Sequence, residues 1–177
     1  MILKPPQYKF CPFCSSLLET RIEESKERKW CSKCRWTYYP HVSSAVGAVI
    51  VKNDAVLMVK RNREPYKNTW GFPAGYVDFG EHPEESLLRE VKEETGLTVI
   101  KSEFISIIQN PDDPNAPGHF GIFYKVLETK GGIINSDKNE NQDISWHPIH
   151  ALPIIGWESH KKIANILGFQ TASSSFQ

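Results

Sequence analysis

The chain has 177 residues with 21 basic and 21 acidic side chains, so it carries no net formal charge at pH 7. That length allows one ordinary catalytic domain plus a small module, and the composition is that of a soluble globular protein. The neutral balance argues against nucleic acid as a partner, because such binders normally carry a basic footprint.

Two cysteine pairs come first along the chain. Cys11-Pro-Phe-Cys14 and Cys31-Ser-Lys-Cys34 are separated by sixteen residues and hold all the cysteines. The spacing fits a tetrahedral Zn²⁺ site built from two knuckles. Disulfides are the competing reading, and nothing suggests secretion. The opening MILKPPQYKF has no apolar core of signal-peptide length. No apolar run reaches the roughly 18 residues of a membrane span, so the expected location is cytoplasmic. Residues 1–40 read as a four-cysteine zinc ribbon too small to bury much core, with metal binding supplying its folding energy. Thiolates fill all four positions, so this zinc is structural. Lys26, Arg28, Lys29, Lys33 and Arg35 mix with Trp30 and Trp36, a pattern that can bind nucleic acid. Glu19, Glu23, Glu24 and Glu27 interleave with them, and a spacer or oligomer contact fits better.

Tyr38 to His41 bridges to the second module. Ser44–Lys52 is an apolar, β-branched run that predicts a buried strand, Asn53-Asp54 a turn, and Ala55–Lys60 its hairpin partner. A helix is well marked further on. Pro83 suits its first turn, Glu84 and Glu85 the positive end of its dipole, and Gly96 the left-handed position past its end. Leu87, Leu88, Val91 and Thr95 form the expected inward stripe. Glu90, Glu93 and Glu94 stand three and four apart, so they point to one side of that helix. Like charges crowded there repel, and a hard divalent cation removes the repulsion. The plainer reading is a solvated face with Arg89 paired to Glu93. Thr98–Gln109, Phe120–Leu127 and Ile144–Trp146 predict further strands, and Asn110–His119 a proline-rich loop. Ser159–Leu167 reads as a second helix ended by Gly168, and residues 169–177 as a disordered tail.

Gly75, five residues, Glu81, seven residues and then Arg89-Glu90-Val91-Lys92-Glu93-Glu94-Thr95-Gly96-Leu97 match every fixed position of the Nudix box. Trp70-Gly71-Phe72-Pro73-Ala74 resembles that family's lead-in, and the resemblance runs over about residues 40–167. It implies an α/β (α+β) fold, the Nudix α/β/α sandwich with a mixed sheet, over residues 41–168. It also implies hydrolysis of a nucleoside diphosphate linked to another group, dependent on Mg²⁺ or Mn²⁺. By position, Glu90 and Glu94 match the family's main carboxylate ligands, Glu93 a third, and the Ala74 carbonyl a backbone ligand. Arg89 matches a residue that orients the glutamates by pairing with Glu81 or Glu93. The family's general base comes from outside the helix. Glu140 and Asp143 are the candidates, and a plain polar turn is the competing reading. Phe72, Tyr76, Phe79, Phe120 and Tyr124 are candidates to stack on a base. Tyr76 and Phe79 are favoured because they sit in the box loop. His119 is a candidate phosphate contact, with a solvated loop histidine as the alternative.

A ribbon ahead of such a domain resembles NADH pyrophosphatases. It also resembles a shorter group, including plant ADP-ribose/FAD pyrophosphatases, in which the ribbon runs straight into the first strand. Here YYPHVSSAVGAVIV follows Cys34 almost at once. The Ser-Gln-Pro-Trp-Pro-Phe-Pro segment of NADH pyrophosphatases is replaced by Ser106-Ile-Ile-Gln109-Asn110-Pro111, without the Trp. The expected substrate is therefore ADP-ribose or an FAD-like compound. The alternatives are NADH, a nucleoside triphosphate, or a non-catalytic ADP-ribose sensor, which has no need of all three glutamates. The expected partner is a nucleotide-derived small molecule. A homodimer is compatible, and a membrane is not expected.

Overall fold

Side chains alternate across a strand, so a run such as Ser44–Lys52 that is apolar at successive positions must be covered on both faces. In the computed structural model, which describes residues 8–111, 113–114, 116–135 and 138–171, the central strand of the larger unit is that run. The chain divides into two units between Val42 and Ser43.

The first unit holds a three-stranded antiparallel sheet in the order β1 (Glu19–Glu23), β2 (Lys26–Cys31), β3 (Trp36–Tyr38). Glu24 and Ser25 both take positive φ, the two-residue turn that matches strand twist. Its apolar core is thin: Cys11, Leu18 and Cys31, with Cys14 and Trp36 against them. The guanidinium of Arg21 lies 3.9 Å over the Trp30 ring, so part of the basic surface is spent on internal packing.

The second unit is a seven-stranded mixed sheet with a helix on each face. Its main path runs β10 (Asn141–Pro148), β5 (Ala55–Arg61), β4 (Ser44–Lys52), β9 (His119–Lys130), β8 (Thr98–Asn110). The β4 and β9 strands are parallel; β8 is antiparallel to β9 and β10 to β5. The β4–β5 hairpin closes over only two pairs, Val51–Val56 and Lys52–Ala55, and then opens. The lead-in segment fills the gap: β6 (Trp70–Gly71) pairs with β5, and β7 (Ala74–Tyr76) pairs with β4. Pro73 lies between the two short strands and accepts a hydrogen bond from the Ala48 amide at 2.8 Å.

Alternation along β4 decides the two cores. Val46, Ala48 and Ile50 pack with Leu87, Val91 and Leu97 of and after α1 (Pro83–Thr95). Val49 packs on the other face with Phe72, Phe123 and Ile163 of α2 (Glu158–Ile166). The result is the expected α/β/α sandwich. His82 caps α1 in a reciprocal capping box with Glu85, and Gly96 ends it at φ 74°.

Several expectations need correction. The buried stripe of α1 is Ser86, Leu87, Val91, Glu94 and Thr95, while Leu88 is 44 % exposed. Positions 87, 91, 94 and 95 follow the helical repeat, and 88 sits a step round the rod. Asp143 lies within β10 and not ahead of it, and α2 starts at Glu158. Of the expected disordered tail, Phe169 and Gln170 bond to Ala164 and Ile149 and Thr171 pairs with Leu152; 172–177 lies outside the described residues. No helix among the described residues is long and apolar enough to cross a membrane.

Two glycines seat one ring. A Cβ on Gly47 of β4 would meet Phe123 Cε1 at 2.4 Å, and one on Gly121 of β9 would meet Phe123 Cε2 at 2.7 Å. Gly47→Ala is expected to destabilise the second unit by about 1–3 kcal/mol, the scale of overpacking. Urea denaturation checks this; an unchanged midpoint would show that the ring can move aside.

Candidate active site

Helix α1 turns its acidic face onto the inserted strand β7, and side chains of Ser86, Arg89 and Glu94 bond its backbone. The Ala74 amide donates to Glu94 Oε2 at 2.8 Å, while Asn141 Nδ2 donates to Glu94 Oε1 at 3.1 Å. Glu94 is only 6 % exposed. Burial pushes its carboxyl up to about 8, with the Glu90 and Glu140 charges adding to the shift against the two hydrogen bonds. Burial also raises Glu90, against the pull of Arg89. The Glu90 carboxylate lies over the backbone of Gly75, where an added Cβ would come within 2.0 Å of it. A side chain at position 75 would displace this carboxylate, which accounts for a glycine there.

Arg89 ties the loop to the helix. It grips Glu81 through both oxygens, Nε to Oε1 at 2.9 Å and Nη2 to Oε2 at 2.8 Å. It also reaches Glu90 at 2.6 Å, Glu93 at 3.2 Å and the Tyr76 carbonyl at 3.0 Å. The guanidinium holds Glu81 far down, at about 2, and Arg89 in turn is raised. Glu93 is the exposed member of the set. The box carboxylates do not converge on one point: Glu90 and Glu93 are drawn to Arg89, and Glu94 to the Ala74 amide.

Beside this face opens a cleft of about 570 Å³. Ala74, Gly75, Arg89 and Glu90 line it together with Arg61, Arg63 and Glu140. Glu140 Oε1 pairs with both Arg61 at 3.3 Å and Arg63 at 2.5 Å. Asp143 does not line this cleft, and its Oδ1 accepts from the Ile144 amide at 2.8 Å. His160 of α2 enters from the opposite face of the sheet. Its Nδ1 accepts from the Phe72 amide at 3.0 Å, so the neutral ring carries its proton on Nε2. Burial pushes His160 down to about 3.

The aromatic candidates separate clearly. Phe72 is 1 % exposed and stacks on His160 at 5.5 Å, so it offers no face to a base. Phe79 is fully exposed and lies off the cleft. Tyr124 packs in the α1-side core, and Phe120 does not line the cleft. Tyr76 and His119 do line it, and His119 is buried where a solvated loop histidine was the alternative. Arg61, Arg63 and His160 escaped sequence reading. A pair of arginines after a hairpin strand was the one available signal.

The four cysteines are free thiols, and their Sγ atoms all lie within 4.8 Å of one another. Cys14 and Cys31 are 3.6 Å apart, near the edge of roughly 3.8 Å expected around a tetrahedral ion with metal–sulfur bonds of about 2.3 Å. That is far beyond the S–S bond of about 2 Å. The cluster fits a small zinc module.

The sequence pattern of the NUDIX domain matches residues 41–165. The chain belongs to the Nudix family of hydrolases. The ADP-ribose pyrophosphatase of Methanocaldococcus jannaschii is 31 % identical over 130 residues, 73 % of this chain and 75 % of that protein. The NAD-capped RNA hydrolase NudC of Klebsiella pneumoniae subsp. pneumoniae is 28 % identical over 148 residues, 84 % of this chain and 54 % of that one. This chain thus spans about half the length of that relative. A crystal structure of a MutT Nudix hydrolase from Burkholderia pseudomallei superposes with a TM-score of 0.67 at 23 % identity, covering 71 % of this chain and 97 % of that one. At that identity the likeness speaks for the Nudix fold.

Two tests follow for this Nudix protein. Without metal, Glu94 ionises near 8 where a free glutamate does so at 4.5. The folded chain then holds a proton that the unfolded chain has released. The contribution is full below 4.5 and is lost as pH rises through about 8. Thermal stability of the metal-free protein is expected to fall between those limits, and Glu94→Gln to flatten the slope. A slope unchanged by the substitution would remove Glu94 from this account. For the ribbon, a tight chelator is expected to unfold residues 1–42 first, followed by the near-ultraviolet signal of Trp30 and Trp36. Full signal after chelation would count against a structural metal.

Proposed function

We propose that this chain is a pyrophosphohydrolase that cleaves the diphosphate of ADP-ribose or an FAD-like compound. The observation that carries the reading is the raised pair Glu90 and Glu94 on one side of α1, with Glu90 lining a cleft that Arg61 and Arg63 also line. Two carboxylates that burial makes costly to ionise are stabilised by a bound cation. Glu90, Glu93, Glu94 and the Ala74 carbonyl would hold Mg²⁺ or Mn²⁺, which would neutralise diphosphate charge and make the attacking water more acidic. The fit rests on oxygen donors throughout and on the backbone of Gly75, which leaves room for Glu90.

Arg89 fixes the glutamates from behind and is consumed by them. Arg61 and Arg63 are the cleft's cations for the substrate phosphates. In the free protein both hold Glu140. Phosphate oxygens compete for those guanidiniums, and Glu140 is then released to take the proton of the attacking water. This favours Glu140 over Asp143 as the base, since only Glu140 lines the cleft. We assign Zn²⁺ to Cys11, Cys14, Cys31 and Cys34, with a folding role. The named activity of the Methanocaldococcus jannaschii relative supports ADP-ribose; NADH or an NAD-capped nucleotide is the second reading, favoured by the NudC relative.

A hydrolysis panel with Mg²⁺, resolved by chromatography, tests this: ADP-ribose, FAD, NADH, nucleoside triphosphates and capped RNA. AMP released from ADP-ribose or FAD is the expected result. Glu94→Gln is expected to lower kcat at least ~100-fold, the scale of losing one key electrostatic group. Glu140→Gln should do similar damage and Asp143→Asn little. Binding of ADP-ribose without turnover would replace the enzyme by a sensor.

A further inference from the structure

One wall of the cleft carries a polar set that the proposed hydrolysis does not use. Asn110, the last residue of β8, lines the cleft and is 2 % exposed. Its buried Nδ2 has no hydrogen-bond partner among the described residues. An unpaired buried donor weakens the fold that contains it, so its presence at a cleft needs a reason.

Its neighbours are organised by Asp113, which is 1 % exposed. Asp113 Oδ1 accepts from the Ala116 amide at 3.3 Å. Its Oδ2 lies 3.0 Å from His119 Nδ1 and 3.5 Å from the Tyr76 hydroxyl. His119 Nδ1 is also 3.1 Å from the Ala116 carbonyl. Facing two acceptors, Nδ1 must carry a proton, and Nε2 of the neutral ring is then a bare acceptor. This set therefore combines a buried, unpaired amide donor with an imidazole acceptor of fixed tautomer.

The charges select the ligand. The cleft's cations are already paired with carboxylates, Arg61 and Arg63 with Glu140 and Arg89 with Glu81 and Glu90. Asp113 brings a buried negative group, which opposes phosphate here. A neutral group that both accepts and donates at adjacent atoms fits, and neighbouring sugar hydroxyls have that character. We propose that Asn110 and His119, with Asp113 as the positioning residue, bind the ribose hydroxyls of a nucleotide-derived substrate. This rests on the reading of the chain as an ADP-ribose-type pyrophosphatase. The ribose can belong to the nucleoside or to the departing group.

The test compares ADP-ribose with two deoxy analogues, one lacking a hydroxyl on the adenosine ribose and one lacking a hydroxyl on the terminal ribose. Wild type is expected to lose at least ~10-fold in kcat/KM on one of them, because a site built to bond a hydroxyl leaves its own groups unpaired without it. The analogue that suffers identifies the sugar. Asn110→Leu, near-isosteric and without the donor, should raise KM for ADP-ribose at least ~10-fold and treat it like that analogue. Its melting temperature should stay level or rise, since an unpaired donor has been removed. His119→Gln should lose the same discrimination. Equal losses on all three substrates with a lowered melting temperature would make Asn110 structural and overturn the proposal, as would wild type indifferent to both analogues. If Asn110→Leu does not fold, Asn110→Ala takes the same comparison. If wild type hydrolyses none of them, titration calorimetry with ADP-ribose separates the two ideas. Affinity lost in Asn110→Leu keeps the sugar site and overturns only the pyrophosphatase reading; affinity unchanged overturns the site.

Discussion

The bond from the Ala74 amide to Glu94 joins the two parts that make the cleft. On one side is a helix whose amphipathic face is decided locally. On the other is a strand wedged into a hairpin that opened after two pairs. Together with the bonds from Ser86 and Arg89 to the Tyr76 carbonyl, the Ala74–Glu94 bond fixes the height of the inserted segment against α1. Its geometry requires a carboxylate in the stripe that faces the sheet, where an apolar residue would stabilise the fold more. Burial then raises Glu94 while Arg89 lowers Glu81 eight residues from itself. The same type of side chain thus serves as a costly buried ligand candidate and as a permanently ionised anchor. Environments that push like groups apart are how one site holds different roles, and local stability is what such sites give up.

What was legible in the sequence was local. The cysteine spacing, the β-branched run of β4 and the caps of α1 are each written within a few residues, and each stands in the structure. The acidic spacing on α1 was legible as one face, but not that Glu94 lies in the buried stripe and Leu88 outside it. Long-range contacts were not legible. His160 meets the Phe72 amide across 88 positions, and Arg61 meets Glu140 across 79. No periodicity encodes such pairs. Phe72 was a candidate base platform as an aromatic residue alone. The split hairpin turns it to the α2 side, where His160 and Phe123 enclose it.

His119 and His160 show how backbone contacts set chemistry that residue type leaves open. An amide donating to Nδ1 makes His160 a donor at Nε2, and acceptors around Nδ1 make His119 an acceptor there. Both line one cleft. Their roles cannot be exchanged without reversing a backbone N–H on β6's flank or a carbonyl in the loop before β9.

Neutrality of the whole chain hides a separation that matters for partners. Residues 1–42 hold eight Lys and Arg against four Glu, and the remainder 13 against 17 Asp and Glu. Four thiolates around one divalent ion would return two charges to the ribbon, leaving it mildly basic, and Arg21 and Arg28 are further engaged over Trp30 and Tyr39. The ribbon's free positive surface is thus smaller than its count, which argues for the weak basic footprint of a folding module. The acidic excess of the larger unit has the opposite consequence. A diphosphate approaching that unit meets net repulsion at long range, so recognition must come from cations inside the cleft. Arg89 is committed to glutamates, which leaves Arg61 and Arg63. Both are held by Glu140 in the free protein, so under the proposed function a diphosphate would have to compete with that carboxylate for them.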